Sequence, residues 1–291
     1  MSSKELKQLV VVSGKGGTGK TTVTASLAAL AEDKVMADCD VDAANLHLLL
    51  KAKTTETIQF PGAKVAVRDE AKCQQAGECE RVCRFDAITV EAVSPTKCEG
   101  CGLCVLACPH GALRLEPYVC GEFYVADTPY GPLAHGRLFP GAENSGRLVT
   151  MVRQKAENLA LERGTGLVII DGPPGIGCTA NAAITETNLV LVVTEPTLSA
   201  IHDAERLLGL VQHFGLPAAL LVNKHDINPA NTQQIQALAQ QYGLPIVGLL
   251  PYDEVVPKSV AQATPLVEFA PDSVPAQILR QTWTQLQAML G

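Results

Sequence analysis

Apolar residues along this chain fall into two rhythms. Unbroken runs of strand length occupy 9–12, 34–37, 167–170, 189–194, 218–222 and 246–250, whereas apolar positions at helical spacing occupy 23–30, 45–50, 148–163, 199–214, 232–242 and 276–291. Fully apolar strands alternating with helices predict an α/β fold, a doubly wound and mostly parallel sheet covered on both faces. Two stretches break the alternation. The polar stretch 51–62 reads as a linker, and 119–150, rich in Gly, Pro and aromatic residues, reads as irregular hairpins. Between them the composition changes and an internal repeat appears, which divides the chain into a first core part at 1–62, an insertion at 63–117 and a second core part at 118–291.

The first run leads into Ser13-Gly14-Lys15-Gly16-Gly17-Thr18-Gly19-Lys20-Thr21-Thr22 and then into the first helical segment. Strand, glycine loop and helix in that order read as a phosphate loop: glycines let successive N–H groups turn toward one phosphate, and the helix N-terminus adds partial positive charge. Gly16, Gly17, Thr18, Gly19 and Thr22 would line the phosphates, Lys20 would reach the β- and γ-phosphates, and Thr21 would place a hydroxyl on Mg²⁺. The run 167–170 ends in Asp171, a Walker B position that would hold Mg²⁺ through its water shell, followed by the stiff loop Gly172-Pro173-Pro174-Gly175. Asp38, Asp40 and Asp42 stand at the C-terminal end of the second run, where open α/β sheets place their ligand chemistry.

With Lys15 included, the loop reads Lys-Gly-Gly-x-Gly-Lys-Thr-Thr and resembles the deviant Walker A motif of the MinD/ParA/nitrogenase iron protein superfamily. The resemblance implies a P-loop ATPase whose active form is a nucleotide-sandwich dimer, with itself or with a paralogue, in which Lys15 reaches the partner's phosphates. It also implies that the stretch after the second run is switch I, with Asp40 positioning the attacking water and Asp38 near Mg²⁺ through water, and that 172–175 is switch II. By the same resemblance Asn223 contacts the base, while Pro251 and Tyr252 would close the other side of its pocket. Asn223-Lys224-His225-Asp226 looks like the guanine motif of GTPases as well, but the deviant loop favours ATP. In the nitrogenase iron protein a cysteine in the loop corresponding to Cys178 ligates a cluster shared across the dimer; here Cys178 and Cys120 read as packed thiols.

Seven of the ten cysteines crowd between Cys73 and Cys108, in a chain that shows no export signal. That is metal-ligand usage rather than a disulfide framework. Cys98-x2-Cys101-x2-Cys104-x3-Cys108-Pro109 is the bacterial ferredoxin run, in which the fourth cysteine serves the other cluster; zinc is the rival metal. A shift of 25 positions lays Cys73 on Cys98, Gly77 on Gly102, Cys79 on Cys104 and Cys83 on Cys108, but Ala76 stands where the second copy has Cys101. The insertion therefore reads as a two-cluster ferredoxin-like module. Crossed ligation gives one 4Fe-4S cluster to Cys83, Cys98, Cys101 and Cys104. Cys73, Cys79 and Cys108 remain for a 3Fe-4S cluster, for an incomplete 4Fe-4S cluster completed by another ligand, or for an empty site.

A net charge of −7 without a Lys/Arg cluster excludes nucleic acid as a partner. No apolar run approaches the ~20 residues of a membrane span, so a cytoplasmic protein without stable membrane insertion is expected. The amphipathic 276–291 carries only Arg280 as a basic residue, which favours packing on the core over a lipid surface. The combined expectation is ATP-gated electron transfer to a redox partner protein. The alternatives are a cluster carrier, or a MinD-like positioning ATPase whose clusters sense redox state.

Overall fold

The computed structural model describes residues 5–291. The chain begins with β1 (Lys7–Ser13), α1 (Lys20–Leu30), β2 (Lys34–Asp38), α2 (Leu46–Leu49) and β3 (Lys53–Phe60). Next come β4 (Ala63–Arg68), α3 (Glu78–Val82), α4 (Leu103–Ala107) and β5 (Leu113–Tyr118). After β6 (Gly121–Thr128) and β7 (Gly131–Leu138) follow α5 (Ser145–Arg163), β8 (Leu167–Pro174), α6 (Cys178–Ile184) and β9 (Leu189–Thr194). The chain closes with α7 (Leu198–His213), β10 (Ala218–Asn223), α8 (Pro229–Gln241), β11 (Ile246–Leu250), α9 (Val255–Ala261), α10 (Leu266–Phe269) and α11 (Val274–Leu290).

Nine strands form one sheet in the order β11-β10-β9-β1-β8-β2-β7-β6-β3. Strands β11 through β7 are parallel, and β6 and β3 add an antiparallel edge. The fold is thus α/β with a mostly parallel central sheet. Alternate side chains of each central strand enter different layers. Val10, Val12, Ile170 and Val192 pack with Leu148 and Val152 of α5 and Leu207 of α7; Leu9, Val11, Ile169 and Leu191 pack with Leu27 of α1 and Leu279 and Trp283 of α11. Burial on both faces is why these strands are uninterrupted apolar runs. The last helix lies on the core with Ala276, Leu279 and Leu286 buried, and no helix of the described residues is long and apolar enough to cross a membrane.

Two expectations need correction. Residues 53–60 are not linker but the outer strand β3, whose side chains are mostly exposed, so that its polar composition conceals a run rich in β-branched residues. Nor is 119–150 irregular: β6 and β7 form a regular hairpin, and β7 joins the parallel sheet through β2, Met36 opposite Leu133 and Asp38 opposite His135.

Strands β4 and β5 pair with each other in a separate antiparallel sheet, from Ala63 opposite Tyr118 to Arg68 opposite Leu113. The residues joining it to the main sheet are tightly bonded. Cys120 N–H donates to Phe60 C=O at 3.0 Å, Phe139 N–H to Cys120 C=O at 2.9 Å, and Leu138 N–H to Val41 C=O at 3.1 Å. The Asn144 amide donates to Gly62 C=O at 2.9 Å. Gly62 has no room for a side chain, since a Cβ there would run into the Phe60 ring and the Cys120 sulfur.

Phe60 is among the largest fully buried side chains. Truncation to Ala leaves a cavity at this junction, and Phe60→Ala should cost about 3–5 kcal/mol of stability. Denaturant unfolding measures the loss, and amide exchange should quicken at Cys120 and Phe139; an unchanged midpoint would mean that the junction does not depend on this ring.

Candidate functional site

The loop between β1 and α1 is shaped by what surrounds it. A Cβ at Gly14 would collide with the backbone of Asp203 in α7, and one at Gly19, where φ is +94°, with the Asn223 amide. Gly16 and Gly17 face open space, and Gly17 has φ +82°. Backbone there is free to approach a ligand closely. A cleft lies over the loop, lined by Gly16, Gly17 and Gly19, by Lys20, Thr21 and Thr22, and by Asp40, Asp42 and Pro174.

Beneath the cleft the charges converge. In the sheet Asp171 of β8 lies opposite Val11 of β1 and Asp38 of β2. Lys20 Nζ is 3.2 Å from Asp171 Oδ1 and 3.6 Å from Asp40 Oδ2. Burial pulls the Lys20 ammonium's pKa down, but Asp171, Asp40 and Asp38 together outweigh it and leave the ammonium more strongly protonated than usual. Asp171 Oδ1 also accepts from Thr24 Oγ1 at 2.9 Å, whereas Oδ2, equally buried, has no hydrogen-bond partner among the described residues. A buried carboxylate oxygen without a donor is costly, and a hydrated divalent cation is the kind of ligand that satisfies it. The Thr21 hydroxyl stands 3.5 Å from Lys20 Nζ and lines the same cleft, so the donor set suits Mg²⁺.

Asp38, beside Asp171 in the sheet, is bonded to the loop that follows it. Its Oδ1 accepts the N–H of Asp40 at 3.1 Å and its Oδ2 those of Asn45 and Leu46 at 3.1 and 3.0 Å, which ties down the loop 40–46. Complete burial, followed by the neighbouring Asp171, pushes its carboxyl up to about 8 against the pull of Lys20 and the backbone donors. Asp40 is raised as well, by burial first and then by Asp171, with Lys20 opposing.

Lys15, the residue expected to reach a partner's phosphates, is bonded within the chain. Its ammonium is held 3.2 Å from Glu195, 3.2 Å from the Thr197 hydroxyl and 3.1 Å from the Ser199 hydroxyl, and Glu195 also binds Lys224 at 2.9 Å. Asn223 donates to Thr18 C=O at 2.8 Å and accepts from Lys224 N–H at 3.0 Å, so both its polar atoms are spent on the loop and its own strand end. Asp226 accepts from Tyr252 N–H at 2.7 Å, which joins the 223–226 and 251–252 segments, with the Tyr252 ring exposed. Thr24 and Glu195 were not singled out from the sequence. The first could have been found as the residue one helical turn after Lys20; nothing local marks the second.

The cysteines between 73 and 108 stand around two cavities. One, of about 370 Å³, is lined by Cys83, Cys98, Cys101 and Cys104; the other, of about 360 Å³, by Cys73, Cys79 and Cys108, with Ala76 beside them. Backbone N–H groups of Ala66, Ala87 and Ala112 each lie 3.4 Å from a sulfur, those of Cys98, Cys83 and Cys108. Burial, and then Cys98 and Cys101, raise the Cys104 thiol. Among the described residues no group of three or more His, Cys, Asp or Glu side chains is drawn together to hold a metal ion as it stands. Of the remaining thiols, Cys39 and Cys120 are buried, whereas Cys178, expected to be packed, is exposed at the start of α6.

Residues 9–266 match the family model of the CobQ/CobB/MinD/ParA nucleotide binding domain. The chain is 31% identical over 261 residues to the uncharacterized protein MJ0578 of Methanocaldococcus jannaschii, covering 88% of each. It is 27% identical over 277 residues to the septum site-determining protein MinD of Synechocystis, covering 92% of this chain and 84% of that one. In fold it is similar to the septum site-determining protein MinD of Pyrococcus horikoshii in complex with Mg-ADP, with TM-score 0.62, 18% identity and 98% of both chains covered.

The raised Asp38 carboxyl has a measurable consequence. A folded-state value near 8 lies above the ordinary 3.8, so folding takes up a proton; the associated stability is fully present below about pH 4 and is lost as pH rises through about 8. Asp38→Asn cannot titrate. Without divalent cations, the unfolding midpoint of the native protein should fall relative to that variant as pH is raised from about 5 to about 9, and parallel profiles would assign the proton to another group.

Proposed function

The chain belongs to the CobQ/CobB/MinD/ParA nucleotide-binding family, and from that premise we propose that this MinD/ParA-like ATPase couples its nucleotide state to iron–sulfur clusters held by its 63–117 insertion. The observation that carries the reading is the partition of seven thiols around two cavities, four on one and three on the other. Apolar Ala66, Ile88 and Leu113 surround them and N–H donors lie at three sulfurs, a setting in which thiolates hold a cluster. Cys83, Cys98, Cys101 and Cys104 would hold a 4Fe-4S cluster. Cys73, Cys79 and Cys108 would hold a 3Fe-4S cluster or an incomplete 4Fe-4S one. Such clusters supply one-electron redox chemistry when bound, for exchange with a redox partner protein.

At the nucleotide site, the N–H groups of Gly16 to Thr22 cradle the phosphates of ATP and Lys20 neutralises them. Thr21 and the free Asp171 Oδ2 take Mg²⁺ and its water, and Asp40, 3.6 Å from Lys20, orients the attacking water. Asp38 acts one step removed, by holding the loop that carries Asp40. In a dimer, of this chain or with a paralogue, Lys15 leaves Glu195 and turns to the partner's phosphates. Asn223, Pro251 and Tyr252 flank the base from the far side of the loop. Coupling runs through the junction: Val41, in the loop that Asp38 holds, is bonded to Leu138, Phe139 to Cys120, and Cys120 to Phe60. Nucleotide shifts the insertion only as far as it binds the two arrangements with different affinity.

A second reading, a MinD-like positioning ATPase with redox-sensing clusters, is favoured by the names of the relatives. One experiment separates the two. An EPR-monitored anaerobic redox titration is run without nucleotide and then with MgATP. Movement of a cluster potential by about 60 mV, a tenfold change in a one-electron equilibrium, supports coupled electron transfer; unmoved potentials pass the function to the positioning reading.

Hydrolysis offers a separate test of the site. Asp40→Ala should lower turnover roughly 10²–10⁴-fold while nucleotide still binds, since the cradle and Lys20 remain. Turnover within twofold of the native protein would remove Asp40 from the chemistry.

A further inference from the structure

The two halves of the insertion are built alike. Gly77 and Gly102 both adopt φ +76°, each is followed by a five-residue helix, and Ala87 and Ala112 donate N–H groups to Cys83 and Cys108 at the same 3.4 Å. The cavities are correspondingly lined by equivalent positions. At the second cavity Ala76 replaces the equivalent of Cys101, and His110 replaces the equivalent of Phe85. The cavity that lacks a thiol is the one lined by an exposed histidine.

The other donors on that cavity are less suited. Glu78 is already held by Arg81, at 3.0 Å from Nε and 2.6 Å from the guanidinium terminus. Gln74 and Gln75 offer neutral amides, which are poor ligands for iron in a sulfide environment. His110 has no hydrogen-bond or ion-pair partner among the described residues, and imidazole is a good iron ligand that replaces thiolate in some iron–sulfur centres. We propose that His110 supplies the fourth protein ligand of the second cavity, so that this cavity takes a four-iron cluster held by Cys73, Cys79, Cys108 and one imidazole. This rests on the reading of both cavities as cluster sites. It replaces a negative thiolate by a neutral ligand, which makes the two sites unequal in charge and therefore in potential.

The test uses the full chain, purified anaerobically. Iron is counted, the oxidised protein is examined by EPR, and the reduced protein by electron–nuclear double resonance for nitrogen coupling. The native protein should hold about eight irons and show nitrogen coupling to one cluster. His110→Ala should lose about one iron per chain, lose that coupling and gain an oxidised three-iron signal. The double variant Ala76→Cys/His110→Ala should regain the iron without the nitrogen coupling, which distinguishes a missing ligand from a damaged fold. A native protein that already holds about seven irons, with a three-iron signal unaltered in His110→Ala, would overturn the inference and leave the cluster reading intact. If the native protein retains no iron at either cavity, the cluster reading itself fails, and this inference with it.

Discussion

Lys20 and Asp171, 3.2 Å apart and shut away from water, form the contact on which the nucleotide site is built. Burying an ion pair repays its desolvation only when the remaining lone pairs are satisfied. Here the chain satisfies them incompletely. Thr24 serves one oxygen of Asp171, nothing among the described residues serves the other, and Asp38 beside it carries a carboxyl whose pKa is pushed up to about 8. One ammonium thus faces the carboxyl groups of Asp171, Asp40 and Asp38, and the unpartnered Asp171 oxygen is left for a divalent cation. The arrangement needs close backbone approach at Gly172, where a Cβ would strike Val12 and Val11, so β8 can lie tight against β1 and set Asp171 under the loop.

What the sequence made legible follows from how many levels of physics agree at a position. The central strands are apolar because both faces are buried, and the phosphate loop combines strand, glycines and helix within a dozen residues; such local signals survive without knowledge of the fold. Edge elements lose them. Strand β3 keeps only Phe60 buried, so its polar face looks like a linker, and the β6–β7 hairpin is recognisable only once β7 finds β2 from a hundred residues away. Long-range roles were the hardest. Lys15 was legible as a phosphate-loop cation, but its hold on Glu195 spans 180 positions, and the attachment of Asn223 to Thr18 depends on β10 ending beside the loop. The cysteine spacing lay between these extremes: a period of 25 is local enough to read, whereas the cavities that the thiols line exist only in the folded chain.

The segment 63–117 leaves and rejoins the main sheet at its outer edge, yet hydrogen bonds link its flanking residues to the loop after β2. Its flanking residues are Phe60, the last of β3, and Cys120, just before β6, while the loop that lines the phosphate-loop cleft follows β2. Between them stands β7 alone. Its last residue holds Val41, and the residue after it holds Cys120, so a displacement of the 40–46 loop must either break the bond to Leu138 or carry the end of β7 with it. Breaking a backbone hydrogen bond and leaving its groups buried costs more than moving a strand end whose other bonds stay made. The buried Phe60 ring fills the space beside Gly62, so the junction is closely packed. A continuous run of backbone hydrogen bonds thus joins the loop that Asp38 holds to the two residues, Phe60 and Cys120, that flank the cysteine-bearing segment.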